Sequence, residues 1–183
     1  MSSRALLSAS LAALLIMAGC SSPPPQQDRR PLGNITAEPR ECGLISRDAI
    51  ARATGLDDFY ADGTTSISHF AYCQVTRSPD TSEPAWMLIE LRDPMDTSIQ
   101  SLEATKLSDK GVSLPTDLGP GFSAAIKDKE GTSVGAYALA WMPDGSKLLS
   151  VRIARGAPGR DIRADAIEFA KQLKPFLLPS SPG

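Results

Sequence analysis

Four side chains in this 183-residue sequence combine reactivity with an informative position: Cys20, Cys42, Cys73 and the only histidine, His69. A hydrolase built on a serine nucleophile uses a histidine as its general base, so His69 is the single candidate for that role. It falls in an alternating run, residues 66–76, that predicts a strand with His69 and Cys73 on its inward face. We favour a structural role for this histidine, partly buried and with its hydrogen bonds satisfied, over a catalytic one. We therefore predict no catalytic residue and no enzymatic activity.

Cys20 ends an N-terminal segment with the parts of an export signal. Arg4 supplies a thin positive region, and residues 5–18 are an apolar run that is too short for a membrane-spanning helix of roughly 20 residues. The run ends in the tetrapeptide Met-Ala-Gly-Cys at residues 17–20, which resembles the lipobox of bacterial lipoproteins, whose cysteine receives a diacylglyceryl group before cleavage. The resemblance implies a signal peptide over residues 1–19 and lipidation of Cys20. Ordinary secretion with an incidental cysteine is the alternative.

Lipidation would decide both location and partners. Two acyl chains on one residue give stable attachment to a membrane, whereas a single chain holds a protein only marginally. We therefore expect a lipid-anchored protein on the extracytoplasmic face of the cell membrane. Removal of residues 1–19 takes one arginine from 19 basic and 21 acidic residues, which leaves a formal charge of −3. Because nucleic-acid binding needs a clear basic excess, we expect no nucleic acid as partner. Besides the membrane, the expected partner is an envelope protein or an apolar ligand.

The remaining cysteines, Cys42 and Cys73, form an even pair in an oxidising compartment, which predicts a disulfide. The alternatives are two free thiols or a metal pair. A metal site needs two further ligands and the sequence has one histidine, so we predict no metal and no cofactor. A bridge would close a loop of 32 residues, and the chain-entropy model assigns such a loop about 3.7 kcal/mol.

Three aromatic residues are candidates for binding: Trp86, Tyr137 and Trp141. All three fall on predicted strands, and if neighbouring strands align them they line a groove for an apolar ligand or partner. The favoured alternative is a second small core under a helix, because aromatic stripes usually pack.

A cluster of arginines flanks the loop at residues 156–159: Arg152, Arg155, Arg160 and Arg163. It suggests a cationic patch for an anionic headgroup or a wall polymer. The interspersed Asp161 and Asp165 favour a solvated, screened face instead.

The elements that must position these residues form one domain over residues 42–183, after a Pro-rich, polar segment at residues 20–41. That segment predicts a tether of about 25 Å if coil-like and about 70 Å if extended. Residues 42–183 predict an α+β fold in the order α-β-β-α-β-β-β-α, with three helices packed on a mainly antiparallel sheet of about five or six strands. The predicted helices run from Ser46 to Gly55, from Asp93-Pro94 to about Leu107, and from near Arg160 to Pro175. The predicted strands cover 66–76, 85–92, 122–127, 132–141 and 146–155, with a weak strand near Phe59.

Two short runs resemble a family of small actinobacterial lipoproteins of unknown function. They are Cys-Gly-Leu-Ile-Ser at residues 42–46, with Cys73 as second cysteine, and Asp-Leu-Gly-Pro-Gly at residues 117–121 before paired strands. The similarity covers most of residues 42–178. It implies an α+β domain with one disulfide on the outer side of an actinobacterial membrane, and it transfers no catalytic residues because the family has none established.

We therefore expect a non-catalytic lipoprotein of the cell envelope that binds a partner protein or an apolar ligand. A sensor or assembly subunit of a membrane complex is the alternative. A hydrolase that acts on envelope material through His69 ranks below both.

Overall fold

The computed structural model describes residues 27–63, 72–80 and 82–179. Within these residues the chain forms a two-stranded sheet, a seven-stranded sheet and three helices. The strands are β1 (Arg40–Glu41), β2 (Ile45–Ser46), β3 (Tyr60–Gly63), β4 (Tyr72–Thr76), β5 (Met87–Arg92), β6 (Val112–Ser113), β7 (Gly121–Lys127), β8 (Ser133–Trp141) and β9 (Leu148–Ile153). The helices are α1 (Arg47–Thr54), α2 (Ile99–Ser108) and α3 (Ile162–Leu177).

The large sheet has the strand order β3-β4-β5-β9-β8-β7-β6, and each neighbouring pair is antiparallel. The predicted α+β class is confirmed, with three helices and an antiparallel sheet. The strand predicted near Phe59 is β3, at one edge, and the two-residue β6 forms the other edge. Of the strand predicted at 66–76, the described part is β4, and residues 66–71 lie outside the described residues.

The main core lies between one face of the sheet and α3. Val151 on β9 is opposite Ile89 on β5 and Ala138 on β8, and all three are buried. Phe169 and Leu173 of α3 pack on this row with no exposed surface. Burial of a large apolar side chain contributes roughly 1.5–3 kcal/mol. This packing fixes α3 on the sheet.

Helix α1 lies where the sequence predicts it, after Ser46 and before Gly55. Gly55 has a φ of 76°, a left-handed conformation that glycine adopts readily at a helix end. The Ser46 side chain makes no capping hydrogen bond. The helix is held instead by burial of Ile50 in the core.

Helix α2 begins at Ile99 and not at the predicted Asp93-Pro94. The Asp93 carboxylate instead forms a 2.7 Å ion pair with Lys147, so the chain after β5 runs against the β8–β9 turn before the helix starts. The Ser98 hydroxyl accepts a 3.1 Å hydrogen bond from the Ser101 N–H and caps the helix. Both aspartate and serine are strong N-cap residues, so propensity alone does not choose between them.

Helix α3 continues past Pro175, the residue predicted to end it, to Leu177. Proline removes one backbone donor from a helix. Leu177 and Leu178 are both buried, each 2% exposed. Their burial favours continuation of the last turn over a break at the proline.

Residues 28–36 pack along α3, and we call them the strap. Leu32 and Ile35 are 3% and 0% exposed and belong to the main core. The Glu168 carboxylate accepts hydrogen bonds from the Leu32 N–H at 3.0 and 3.1 Å, and the Gln172 side chain accepts one from the Ile35 N–H at 3.1 Å. The tether prediction is therefore corrected for this part of residues 20–41, which belongs to the folded domain.

Candidate functional site

The disulfide between Cys42 and Cys73 is present, as predicted, with a Cα–Cα distance of 5.7 Å. Cys73 is on β4 and 1% exposed, and it pairs in register with Gly63 on β3. Cys42 lies in the turn between β1 and β2. The bridge therefore ties the entry of α1 to the buried face of the large sheet.

Cys20 and His69 both lie outside the described residues. Lipidation, the signal peptide and the role of the histidine stay predictions. Among the residues that the structure covers, no group of three or more His, Cys, Asp or Glu side chains is placed to hold a metal ion. In that same part of the chain, none of the helices has the length and apolar character needed to cross a bilayer.

The three aromatic candidates do not lie together. Trp141 is 2% exposed, and its ring contacts Phe122 edge-on at 6.2 Å between centroids. Tyr137 packs edge-on against the other side of Phe122 at 5.8 Å. Trp86 precedes β5 at the opposite end of the sheet, where Arg155 lies 5.5 Å above its ring. A buried Trp141 offers no free surface to a ligand.

Trp141 belongs to a second small core on the sheet face opposite α3. Its buried members are Leu102 of α2 together with Phe122, Ala124, Trp141 and Leu148. This arrangement matches the alternative interpretation of the aromatic residues, a small core under a helix. Tyr137 is half-buried at its edge, and its hydroxyl donates a hydrogen bond to the Asp109 carboxylate.

Arg160 is a structural residue and not part of a cationic patch. It is 6% exposed and makes a double hydrogen bond to Asp165, itself 2% exposed, at 2.8 and 2.5 Å. Its guanidinium also donates to the Arg30 carbonyl at 2.8 Å and lies 3.3 Å from an Asp28 carboxylate oxygen. The hydrogen bonds to Asp165 raise the pKa of Arg160. The cluster joins the strap to the first turn of α3.

The other three arginines of the candidate patch differ in their contacts. Arg152 is exposed on β9 and pairs in register with Tyr137. Arg155 stacks on Trp86, and Arg163 is exposed on the first turn of α3. A single patch of four cations is therefore not formed.

A groove of about 1550 Å³ lies beside the start of α3, and we call it the α3 groove. Its walls are the loop at residues 155–160, the first two turns of α3 and the start of β8. The apolar lining includes Val134, Ala136, Ile162 and Ile167. Val134 is 37% exposed, so this part of the apolar wall is open to solvent.

Gly156 gives the groove its shape. A Cβ atom at this position would lie 2.3 Å from a side-chain carbon of Ile162, so only glycine lets the loop pass this close to the helix. This close approach fixes the spacing between the loop and the helix, which are two walls of the groove.

The rim of the α3 groove is charged, with Arg29, Arg155 and Arg163 as cations and Asp128 and Asp161 as acids. Asp161 is already engaged, since it forms a 2.8 Å ion pair with Arg29 and caps α3 through the Ala164 N–H. Within the described residues, neither Arg155 nor Arg163 forms an ion pair. The groove thus combines an apolar lining with cations available to an anionic group.

Sequence reasoning found the loop at residues 156–159 but not the groove. The signal available was the run Gly-Ala-Pro-Gly between a strand and an amphipathic helix, which indicates a loop and carries no sign of a cavity. The wall from β8 and the contribution of Arg29 depend on tertiary packing.

Comparisons with protein families, with curated proteins and with solved structures found no match for this chain.

Proposed function

We propose that this protein is a non-catalytic lipoprotein of the cell envelope that binds an amphipathic ligand in the α3 groove. The observation that carries the proposal is the open cavity of about 1550 Å³ whose apolar lining is bordered by cations. Ligand sites are concave, mostly apolar and equipped with a few polar groups that set orientation. The α3 groove has this composition.

The chemistry of the groove favours an apolar ligand that carries an anionic group. The half-buried Ile162 and Ile167 offer apolar contact, and Arg155 and Arg163 offer charge-assisted hydrogen bonds at the rim. A purely apolar ligand would leave these cations unused, and a purely ionic one would leave the apolar wall in water.

The anchor supports the same function. If Cys20 carries acyl chains, the α3 groove stays near the lipid, because Gln27 and Arg29 of the groove lining lie only seven and nine residues after Cys20. Mass spectrometry of the protein purified from membranes tests this step. We expect a mature N-terminus at Cys20 with diacylglyceryl and acyl mass added, and a free Cys20 thiol or a retained leader would contradict it.

Fluorescence of anilinonaphthalene sulfonate tests the groove, since this probe joins apolar rings to an anion. We expect saturable enhancement with the native chain and at least about tenfold weaker binding with Ile167→Asp, which places a charge on the apolar lining. Leu107→Asp is the matched control, because Leu107 is 79% exposed on α2 and outside the groove. Circular dichroism confirms the fold of each variant. Equal loss in both variants, or no saturable enhancement, would contradict the groove as binding site.

A partner protein is the second candidate, favoured by the sheet face opposite α3. Over β3, β4 and β5 this face carries Tyr60 at 51% and Tyr72 at 39% exposure, beside the half-buried Leu88. Exposed tyrosines are enriched at protein interfaces. A photo-crosslinker at Tyr72 in intact cells should capture a stoichiometric membrane-complex partner if the protein is an assembly subunit, while one at Leu107 should not.

A further inference from the structure

A second pocket lies on the other face of the sheet from α3, and it is lined by cations. It has a volume of about 430 Å³ and lies between the end of α2 and strands β7, β8 and β9. We call it the Tyr137 pocket, and its main lining residues are Asp109, Lys110, Ile126, Lys127, Tyr137 and Arg152. The volume is within the range of small-molecule sites, roughly 300–1,000 Å³.

Strand register assembles the pocket. Tyr137 on β8 is directly opposite Arg152 on β9 and Ala124 on β7, so the phenol and the guanidinium share one row on one face. Lys127 ends β7 and lines the same cavity, and Lys110 follows the last turn of α2. Three separate elements therefore bring one cation each to one cavity.

The cations of the pocket have no acidic partner. All 21 acidic residues lie in the described part of the chain, and no carboxylate oxygen is within 4.0 Å of the side-chain nitrogens of Lys110, Lys127 or Arg152. The chain as a whole has a formal charge of −2, so three unpaired cations around one cavity are not a consequence of composition. Like charges placed together cost free energy unless an anion joins them.

The single acid of the pocket is already occupied. Asp109 accepts the hydrogen bond from the Tyr137 hydroxyl. Burial, and then this hydrogen bond, raise the pKa of Tyr137, so the phenol stays neutral and keeps donating. The remaining donors face the cavity with a net positive charge.

Lys110 has a φ of 55°, in the left-handed region that disfavours residues with a Cβ. Glycine or asparagine is the usual residue at such a helix end. A lysine here sacrifices local conformational preference and adds a cation to the cavity, as expected where a residue serves binding.

We propose that the Tyr137 pocket binds a small oxyanion, a carboxylate or a phosphate group, through Lys110, Lys127 and Arg152. The proposal does not depend on the α3 groove, because the cationic residues of the pocket are not part of that groove. A ligand of either chemistry would replace the missing counter-charge with charge-assisted hydrogen bonds.

Isothermal titration calorimetry of the full chain with sodium phosphate, and separately with sodium acetate, at low ionic strength tests the site. We expect saturable binding of at least one anion, with an affinity that falls as salt is added. The anion that binds more tightly identifies the preferred group. No saturable binding of either anion would overturn the proposal.

Single substitutions localise the binding. Lys127→Gln and Arg152→Gln should each raise the dissociation constant about tenfold, as loss of one hydrogen bond to a charged group predicts. Lys127→Arg retains the charge and should retain binding. Lys129→Gln is the matched control, since it removes the same charge from an exposed turn outside the pocket. If Lys129→Gln weakened binding as much as Lys127→Gln, the effect would be one of net charge and the site would be refuted.

Discussion

The buried pair between Arg160 and Asp165 makes a sharp prediction about how the strap is held. We replace Arg160 by methionine, Asp165 by leucine, and both together. Each single change leaves a charge without its partner in a site where the side chains are 5% and 3% exposed. The double change removes both charges and puts apolar side chains of comparable length in their place.

The structure sets the expected size of each effect. Loss of one partner of a buried ion pair costs about 3–5 kcal/mol, a large share of the 5–15 kcal/mol that stabilise a typical domain. Asp165→Leu should fall at the low end, because Arg160 keeps the Arg30 carbonyl and the Asp28 carboxylate at 3.3 Å. Arg160→Met should fall at the high end near neutral pH. The double variant should lie within about 1 kcal/mol of the wild type, since well-packed apolar replacements are often neutral.

Urea denaturation followed by circular dichroism measures these differences as a double-mutant cycle. A pH series adds a sign test for Arg160→Met. Burial raises the pKa of Asp165, and with its partner removed this effect has no opposing charge. A folded-state pKa above the unfolded value gives stability that is present at low pH and lost as pH rises through the folded pKa. The defect should therefore shrink on acidification. Single variants that cost less than about 1 kcal/mol, or a double variant as unstable as the sum of the two, would refute the reasoning.

Three further predictions concern the disulfide and the aromatic residues. Replacement of both Cys42 and Cys73 by alanine should lower the free energy of unfolding by about 3.7 kcal/mol, and reduction of the wild type should give a similar loss in urea melts. Tyr137→Phe should reduce the loss of unfolding free energy at alkaline pH, because a raised phenol pKa gives stability that is complete below about pH 10 and is lost above it. Urea melts of the two proteins at pH 8 and above pH 10 measure this loss. An equal loss in the two proteins would contradict the prediction. Trp141→Ala should lower the free energy of unfolding by about 3–5 kcal/mol, because it opens a cavity in the second core. The same substitution at the half-buried Trp86 should lower it by less than about 2 kcal/mol in the same assay.

Much of the fold could be predicted from the sequence, because the signal was local. Alternation predicted β5, a run apolar on both faces predicted β8, and short turn-like links separated β7, β8 and β9. In the last helix, Phe169, Ala170 and Leu173 recur at helical spacing, a pattern typical of a buried helix face, and all three are buried in α3. The disulfide followed from the number of cysteines and the predicted oxidising compartment.

What escaped prediction depends on contacts distant in sequence. Leu32 and Ile35 have no periodic apolar neighbours, so their segment reads as a tether. Their backbone groups are satisfied by Glu168 and Gln172 of α3, which lie 136 and 137 residues away. These contacts with α3 decide whether the segment is ordered, because burial and the hydrogen bonds offset an ordering cost of about 1–2 kcal/mol per residue.

The candidate site was harder still, because strand register sorts residues that look alike in sequence. Trp141 and Trp86 both lie near the end of a predicted strand, yet the first is buried beside Phe122 and the second lies at the other end of the sheet. Arg152 and Arg160 differ in the same way, since one faces solvent and the other is buried. The α3 groove and the Tyr137 pocket can be identified only when the placement of these side chains is known.

The strap also changes the geometry of anchoring. If Cys20 is lipidated, eight residue steps separate it from Asp28, whose N–H is the first among the described residues to donate a hydrogen bond to the rest of the domain, at the Gly159 carbonyl. At up to 3.6 Å per residue the link spans at most about 29 Å, compared with the roughly 70 Å of a tether that ended at residue 41. Gly159 belongs to the wall of the α3 groove. The anchor would therefore hold this groove toward the bilayer, where an amphipathic ligand would be concentrated, and lengthening the link before Asp28 should weaken capture from the membrane without changing affinity in solution.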